Sequence, residues 1–584
     1  MLAPYLALAV ALAARSAAPD LATAAERSGW ERTGRYEEVV RLCKRLERAH
    51  PRRARCFSYG TTPEGRELVA LAASADGVTR PLAARARDRP VVLFQGGIHA
   101  GEIDGKDAGF VLLRDLLASA GGGPLAKATA VFVPVVNPDG HERFGADHRP
   151  NQRGPAETGW RTTAQNLNLN RDYVKADAPE MRALLALLSE WDPIAYADLH
   201  VTDGAKFQHD VAVLVEPLHG YDPSLRAEGK AMSDALVARL EGDGHLPLDF
   251  YPAFVEDGRP ESGFARGVPP PRFGNGYWAA RNRFGILLET HSWRPYRERV
   301  AATVDFLRAL LDLAAERGVA WTRAAERADR AAASLAGEEV VLAQAARRDG
   351  PARTLSFRGY AYARTESAAL GRPVVSYDES RPEIWQVPLR EEVAPTATAV
   401  LPKGGWIVPA AWAPKLAGRL RLHGLRFARI EGARRAVEVE AFRAAEAKLA
   451  ASSFEGRQTL SVKGAWARER RDLAPGALWV PAAQARALLA AHLLEPAGPD
   501  ALLAWGEFNA AFEQKEYVED YVLEPFATEL LARDPEVRRE LERRLAEPAF
   551  AKDPQARLEF FRQRHPSADE GYRLYPVLRA DRRP

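Results

Sequence analysis

His99 and Glu102 are the residues with the plainest chemistry in this chain. They fall in His99-Ala100-Gly101-Glu102, just after the apolar run Pro90-Val91-Val92-Leu93-Phe94-Gln95. A short, β-branched run ended by Gly96-Gly97 reads as a buried strand entering a tight loop. An imidazole and a carboxylate this close in sequence can turn toward one ion with little chain to order between them, and the pair suits a borderline cation such as Zn2+. Alone the tetrapeptide is weak, because a capping or solvated pair has the same spacing. Two more apolar runs end in residues that complete a site: Ile194-Ala195-Tyr196-Ala197-Asp198-Leu199 in His200, and Phe284-Gly285-Ile286-Leu287-Leu288 in Glu289. Ligand and catalytic groups of α/β sheets gather beyond the carboxyl ends of strands. Three strand ends carrying His/Glu, His and Glu therefore predict a metal-assisted hydrolase, with His99, Glu102 and His200 as ligands and Glu289 as general base.

Between the ligands lies Trp160-Arg161-Thr162-Thr163-Ala164-Gln165-Asn166-Leu167-Asn168-Leu169-Asn170-Arg171-Asp172, two arginines flanking an Asn-rich turn. A guanidinium can clamp a carboxylate through two parallel hydrogen bonds, and another aimed at a scissile carbonyl would stabilise the oxyanion. A solvated loop whose arginines pair with surface acids fits the same residues equally well.

The elements that must position these groups alternate between strand-like and helical patterns. Thr129 to Val136 reads as a strand stopped by the turn Asn137-Pro138-Asp139-Gly140. Helical patterns cover Lys106 to Ala118, Pro179 to Trp191, Pro223 to Leu240 and Pro295 to Glu316. Tyr59 to Ala72 reads as an edge hairpin ahead of them. This order predicts an α/β fold with a mixed, largely parallel sheet and helices on both faces, ending near Arg317-Gly318. Beyond it, short strand-like pieces (Thr354 to Thr365, Pro373 to Tyr377, Glu383 to Leu389, Thr396 to Leu401, Trp406 to Pro409) suggest a small β-sandwich. Ala482 to Leu494 and Pro499 to Phe550 turn helical, with Trp505, Phe508, Phe512, Tyr517 and Tyr521 read as core packing.

The expected divisions are a signal peptide over 1–18, a helical lead-in over 19–54, the catalytic domain over 55–320, a β-rich accessory domain over 321–480 and a mainly helical region over 481–584. At 584 residues the chain exceeds one ordinary core. A net charge of +3 leaves no nucleic-acid footprint. The apolar N-terminus is too short to span a bilayer comfortably, and Ser16-Ala17-Ala18 offers small residues for a signal peptidase, although no Lys or Arg precedes the apolar run. The expectation is export to the periplasm or beyond the cell, with no stable membrane insertion after cleavage. The only cysteines, Cys43 and Cys56, fit no thiolate metal site. They pair if the chain is exported and stay buried thiols if it is cytosolic.

The order of features resembles the zinc carboxypeptidase family over roughly residues 55 to 320, carried by His99-Ala100-Gly101-Glu102, Asn137-Pro138-Asp139-Gly140, Trp160-Arg161, Asn170-Arg171, Asp198-Leu199-His200 and Leu288-Glu289. Gly60 to Arg66 is similar to the family's turn ahead of the core. The resemblance implies one zinc per chain on His99, Glu102 and His200, with Glu289 as proton carrier and Arg161 at the oxyanion. It implies that Asn170 and Arg171 grip the terminal carboxylate of a peptide or protein substrate. Two positions depart from the family: Asn168 stands where an Asp supports the first zinc His, and the closing tyrosine has no counterpart at the usual spacing. Tyr277 is the first choice for that role, Tyr251 the second, with plain packing open for either. The rivals are another zinc amidohydrolase (a cell-wall peptide hydrolase or a deacylase) and a non-catalytic binding module on the same fold. A retained Glu289 speaks against the module, since a structural zinc site has no use for a spare base. His141, His148 and His209 are read as loop residues rather than ligands, and His291 is left unassigned.

Overall fold

The computed structural model describes residues 21–584, so the signal-peptide expectation lies outside the described residues. Contacts divide the chain into two units. The first takes in the chain through Pro269 together with Phe273–Arg327 and Ala346–Val393, and the second takes in Pro270–Arg272, Ala328–Ala345 and Ala394–Pro584.

The first unit is built on an eight-stranded sheet. Its strands are β1 (Ala54–Thr61), β2 (Glu67–Ala73), β3 (Val91–Gln95), β4 (Thr129–Val133), β5 (Ala195–Thr202), β6 (Val211–Glu216) and β7 (Pro247–Leu248). After the short β8 (Phe264–Ala265), which lies outside this sheet, β9 (Phe284–His291) completes it in the order β1-β2-β4-β3-β5-β9-β6-β7. The central strands β4, β3, β5 and β9 run parallel. They read as unbroken apolar runs because both faces are covered: every residue of β3, β4 and β5 is buried. The antiparallel hairpin β1–β2 forms one edge, as its alternating sequence predicts.

Helices connect the parallel strands. Pro179–Trp191 agrees with the sequence reading, and Asp104–Ala118 begins two residues before the expected start. The helix expected to end at Glu316 instead runs from Tyr296 to Ala332. Gly318 is no terminator. It is a helix position packed against Pro90, where an added Cβ would come within 2.5 Å of the proline ring. Cys43, on the buried face of the helix Tyr36–Ala49, is bonded to Cys56 in β1. Closing a loop this short stabilises the fold by roughly 3 kcal/mol.

Two more strands of the region expected to be accessory pack with the first unit. β10 (Glu339–Ala346) precedes β11 (Arg353–Ser367) and β12 (Arg372–Arg390), a long antiparallel hairpin whose last residues, Leu389 and Arg390, pair in parallel with Phe264 and Ala265 of β8. Phe357, Trp385, Val387 and Leu389 of the hairpin bury against Phe207, Phe250, Phe264 and Trp293. That shared aromatic core is why residues 346–393 belong to the first unit although they lie beyond residue 320 in sequence.

The second unit holds further strands: β13 (Val393–Val400), which pairs with β10, then β14 (Gly405–Val408), β15 (Ala428–Arg429), β16 (Arg434–Leu449), β17 (Leu460–Leu473), β18 (Leu478–Pro481) and β19 (Leu578–Ala580). The last six form one sheet in the order β15-β18-β14-β19-β16-β17, with Ile407, Val439, Leu473, Trp479 and Leu578 in one buried cluster. The aromatic run splits: Trp505, Phe508 and Phe512 are buried, but Tyr517 and Tyr521 are exposed. The helix there starts only at Asp520, so Tyr517 lies outside it in open loop and helical spacing places neither tyrosine on a covered face.

Candidate metal centre

The site forms where the carboxyl ends of β3, β5 and β9 meet. β3 delivers the chain into the loop holding His99 and Glu102, and the helix Asp104–Ala118 starts at once behind them. β5 carries His200, and β9, paired beside it in parallel, brings Glu289 into register with His200. The rings of His99 and His200 stand edge to face with centroids 4.9 Å apart. His99, Glu102 and His200 are buried, and one ligand atom from each lies within 4.8 Å of the others.

The orientation of the imidazoles is fixed from behind. His99 Nε2 is 3.1 Å from Asn168 Oδ1, and His200 Nε2 is 3.2 Å from Asp198 Oδ2. Gln95, at the end of β3, donates from Nε2 to Asp198 Oδ1 at 3.0 Å and so holds that carboxylate in turn. With Nε2 of His99 donating to Asn168 and Nε2 of His200 turned toward the Asp198 carboxylate, each Nδ1 presents a lone pair forward. Both Nδ1 atoms lie 3.0 Å from an oxygen of Glu102, so two nitrogen lone pairs face one carboxylate. Acceptors facing acceptors in a buried place require a shared proton or a cation. Two imidazole nitrogens and a carboxylate, each imidazole anchored through its other nitrogen, are the donor set of a catalytic zinc site. The residues therefore fit the metal.

The electrostatics agree. Burial lowers the His99 imidazole to about 4, keeping it neutral and ready to bind. His200 is also disfavoured as a cation by burial, but Asp198 and then Glu102 overcome this and raise it well above the usual histidine range. Burial would raise Glu102, yet His99 and Arg149 hold it well below the ordinary carboxylate range. The pocket thus draws positive charge toward the point the three ligands share. Glu289 is buried, its Oε2 accepts no hydrogen bond among the described residues, and burial pushes its carboxyl up to about 8.

Asn168 occupies the place of the expected supporting Asp and does the same geometric work with a neutral oxygen. Its Oδ1 also accepts from the backbone N–H of Asn170 at 3.1 Å, so the Asn-rich turn is tied directly to a metal ligand. Asn168→Ala removes both bonds. Loss of such a supporting contact weakens metal binding by about 10- to 100-fold, to be read by titrating the apoprotein with zinc against a competing chelator.

Of the sequence-predicted residues, Arg161 reaches the site, its Nη1 donating to Glu102 Oε1 at 3.2 Å with the side chain 39% exposed. Asn170 is buried within the turn, and Arg171 lies over the Phe273 ring, 4.4 Å from its centroid, donating to the carbonyl of Asn170. Tyr277 does not face the site. It sits fully buried in the helix Gly274–Ala279 against Tyr173 and accepts from Arg281. Gly274 and Gly276 are buried with it in that short helix. Tyr251 has the properties sought: it is 39% exposed, its hydroxyl accepts from Thr202 Oγ1 at 3.1 Å, and the charge of Glu289 is the main influence raising its phenol.

His141 is buried and bonded to the carbonyls of Ala100 and Gly34, while His148 packs on Trp160. Neither joins the metal group. His291 is buried between Phe207 and Trp293.

Sequence reasoning missed Arg149. Its Nη2 is 3.2 Å from the same Glu102 oxygen that Arg161 touches, and its side chain is only 8% exposed. Gly101 makes this possible, because a Cβ there would come within 2.6 Å of Arg149 Cγ. It also missed Asp104 and Arg299. The buried Arg299 Nε donates to Asp104 Oδ2 at 2.8 Å, and Thr290, next to Glu289, donates to the same oxygen. This pair locks the start of the helix behind the metal loop to the end of β9. Asp198 was legible, since it lies two residues before His200 on one strand and so on one face. Arg149 had no such signal.

Comparison with known proteins bears on this arrangement. Residues 39–210 match the family model described as "Zinc carboxypeptidase". That stretch contains His99, Glu102, Arg161, Asn170, Arg171 and His200, and stops short of Glu289. Carboxypeptidase Z of Rattus norvegicus is 31% identical over 147 residues, which is 24% of this chain and 21% of that protein. A probable carboxypeptidase 2 of Trichophyton verrucosum is 27% identical over 217 residues, 36% of this chain and 38% of that protein. The chain thus spans about a fifth of the length of the first of these relatives. Among solved structures, a metallo-carboxypeptidase from Burkholderia cenocepacia aligns over 47% of this chain and 68% of its own, at 17% identity and a TM-score of 0.35. Carboxypeptidase A from Helicoverpa armigera aligns over 50% and 74%, at 17% identity and a TM-score of 0.34.

Proposed function

We propose that this protein is a zinc carboxypeptidase that removes a residue from the free C-terminus of a peptide or protein. The observation that carries the reading is the buried His99, Glu102 and His200 cluster with Glu289 in register beside it on the next strand. Zinc, when bound by the three ligands, supplies a Lewis acid that polarises the scissile carbonyl and makes water acidic enough to attack near neutral pH. Glu289 takes the proton of the attacking water and returns it to the leaving amine. Its burial suits this work, because a carboxylate whose buried Oε2 has no hydrogen-bond donor among the described residues keeps its basicity. Arg161, the more exposed of the two arginines at Glu102, faces the oxyanion as it develops. Asn170 and Arg171 hold the terminal carboxylate, and Tyr251, rather than Tyr277, closes over the bound residue.

Removing the guanidinium that grips the chain end separates a carboxypeptidase from other zinc amidohydrolases. Arg171→Ala is expected to raise KM for free-acid peptides on the order of 10- to 100-fold, the loss of a charge-assisted pair of about 1.5–3 kcal/mol. Amidated peptides, already poor substrates, should be unaffected; equal losses on both would remove the carboxylate clamp. Export completes the proposal. The Cys43–Cys56 disulfide belongs to an oxidising compartment, and no helix among the described residues is long and apolar enough to cross a membrane.

A further inference from the structure

Three loops rim the metal site, and each leads from a residue already placed there. Residues 203–210 follow His200, residues 249–265 carry Tyr251, and residues 291–294 follow Glu289. The first two are fastened directly, and the third through Phe207, to one element outside the stretch that resembles zinc carboxypeptidases, the hairpin β11–β12.

The fastening is specific at each loop. Gln208 donates from its backbone to Arg358 O at 2.8 Å and from its side chain to Gly359 O at 2.7 Å. Lys206 and Arg153 both reach Glu379, at 2.7 and 3.1 Å. The Tyr251 loop is held at both ends. Asp249 pairs with Arg266 at 2.8 Å, Arg266 pairs in turn with Glu391 at 3.2 Å, and the backbone N–H of Arg266 donates to Arg390 O at 2.8 Å. Between those ends β8 adds in parallel to β12, and Gly263 lies so close that a Cβ would sit 2.0 Å from Pro388 O. Phe254 and Phe264 pack on Trp385 and Phe357, 6.2 and 4.7 Å between centroids. Phe207 joins the third loop, with its centroid 5.0 Å from Phe357, 5.5 Å from Trp293 and 3.9 Å from His291. By contrast, among the described residues the polar partners of the His99, Glu102 and His200 side chains come from residues 99–201 of the sheet and its loops, and none from the hairpin.

We infer that the hairpin β11–β12 is a positioning element of the substrate cleft, holding the Tyr251 loop and the loop after His200 over a metal centre that forms without its help. The inference rests on the carboxypeptidase reading for its kinetic consequence, but not for its mechanical one. An interaction that holds only loops alters capture of the substrate more than the reaction of bound substrate, and displacements on the ångström scale cost up to about 100-fold in rate.

The test uses the full-length protein with Trp385→Ala on the hairpin and, as the gentler variant, Phe254→Ala on the loop. In both, amide hydrogen exchange across residues 249–265 and 203–210 should accelerate in the zinc-free protein. Zinc affinity should stay within about twofold of wild type, and KM for a free-acid peptide should rise about tenfold. Combined with Tyr251→Phe, either variant should lose less than the sum of the separate losses, since both act through one side chain. Unchanged exchange and KM in folded Phe254→Ala overturns the inference. So does a fall in zinc affinity matching the rise in KM, or failure of both variants to fold, since the hairpin would then be general core. If wild-type protein binds zinc yet releases no C-terminal residue, the carboxypeptidase reading fails while the exchange measurement still decides the mechanical hold.

Discussion

Glu289→Gln is expected to retain zinc at wild-type stoichiometry and to lose about 10²–10⁴ in kcat, the contribution of a positioned general base. The substitution keeps the size and planarity of the side chain, so the packing around a buried residue at the end of β9 is preserved. It removes the one property the proposal needs, an oxygen able to take a proton and give it back. Metal analysis of the purified variant and turnover of a free-acid peptide measure the two halves of the claim separately. Because Glu289 is not among the three ligands, a parallel loss of zinc would mean that it belongs to the metal shell. Residual activity above about a tenth of wild type would remove it from proton transfer.

His200→Ala acts on the metal instead, and two measurements should move together. An apparent binding energy of about 10–16 kcal/mol for a structural zinc site with four protein ligands puts one ligand at roughly 2.5–4 kcal/mol, or about 10²–10³ in affinity for the His200 imidazole. The same substitution strands Asp198, whose Oδ2 faces His200 Nε2 while its Oδ1 accepts from Gln95. An uncompensated buried carboxylate costs about 3–5 kcal/mol, so the zinc-free variant should also melt lower than the zinc-free wild type. Calorimetry of both apoproteins and competitive zinc titration report the two effects. A variant that binds zinc as well as wild type would end the metal-centre reading, whatever happened to its melting temperature.

The contrast between Asn168 and Tyr277 shows where a sequence stops being informative. Asn168 could be flagged as a departure because its position is counted from neighbours in one short turn, and a side chain two residues from Asn170 has few places to go. The closing tyrosine is chosen by the path of a long loop. Tyr277 is the first choice from the sequence, yet Asn275 and Trp278 bury that segment against β9 and the carbonyl of Pro193. Tyr251 reaches the rim because β8 fixes its loop to the hairpin, a partner more than 100 residues further along the chain.

The sequence by itself determined the parallel core and pointed to the three side chains that meet at the candidate metal centre. Strand runs buried on both faces announce themselves by unbroken apolar residues, and chemistry at strand ends follows in register from them. Only the tertiary structure decided that Arg149 passes over Gly101 to reach Glu102, that the helix after Pro295 continues through Gly318, and that residues 346–393 join the first unit. Each of these depends on which surfaces meet across long stretches of chain. Contacts of that kind leave no periodicity in the sequence, because the energy that selects them is packing between segments rather than the preference of any one.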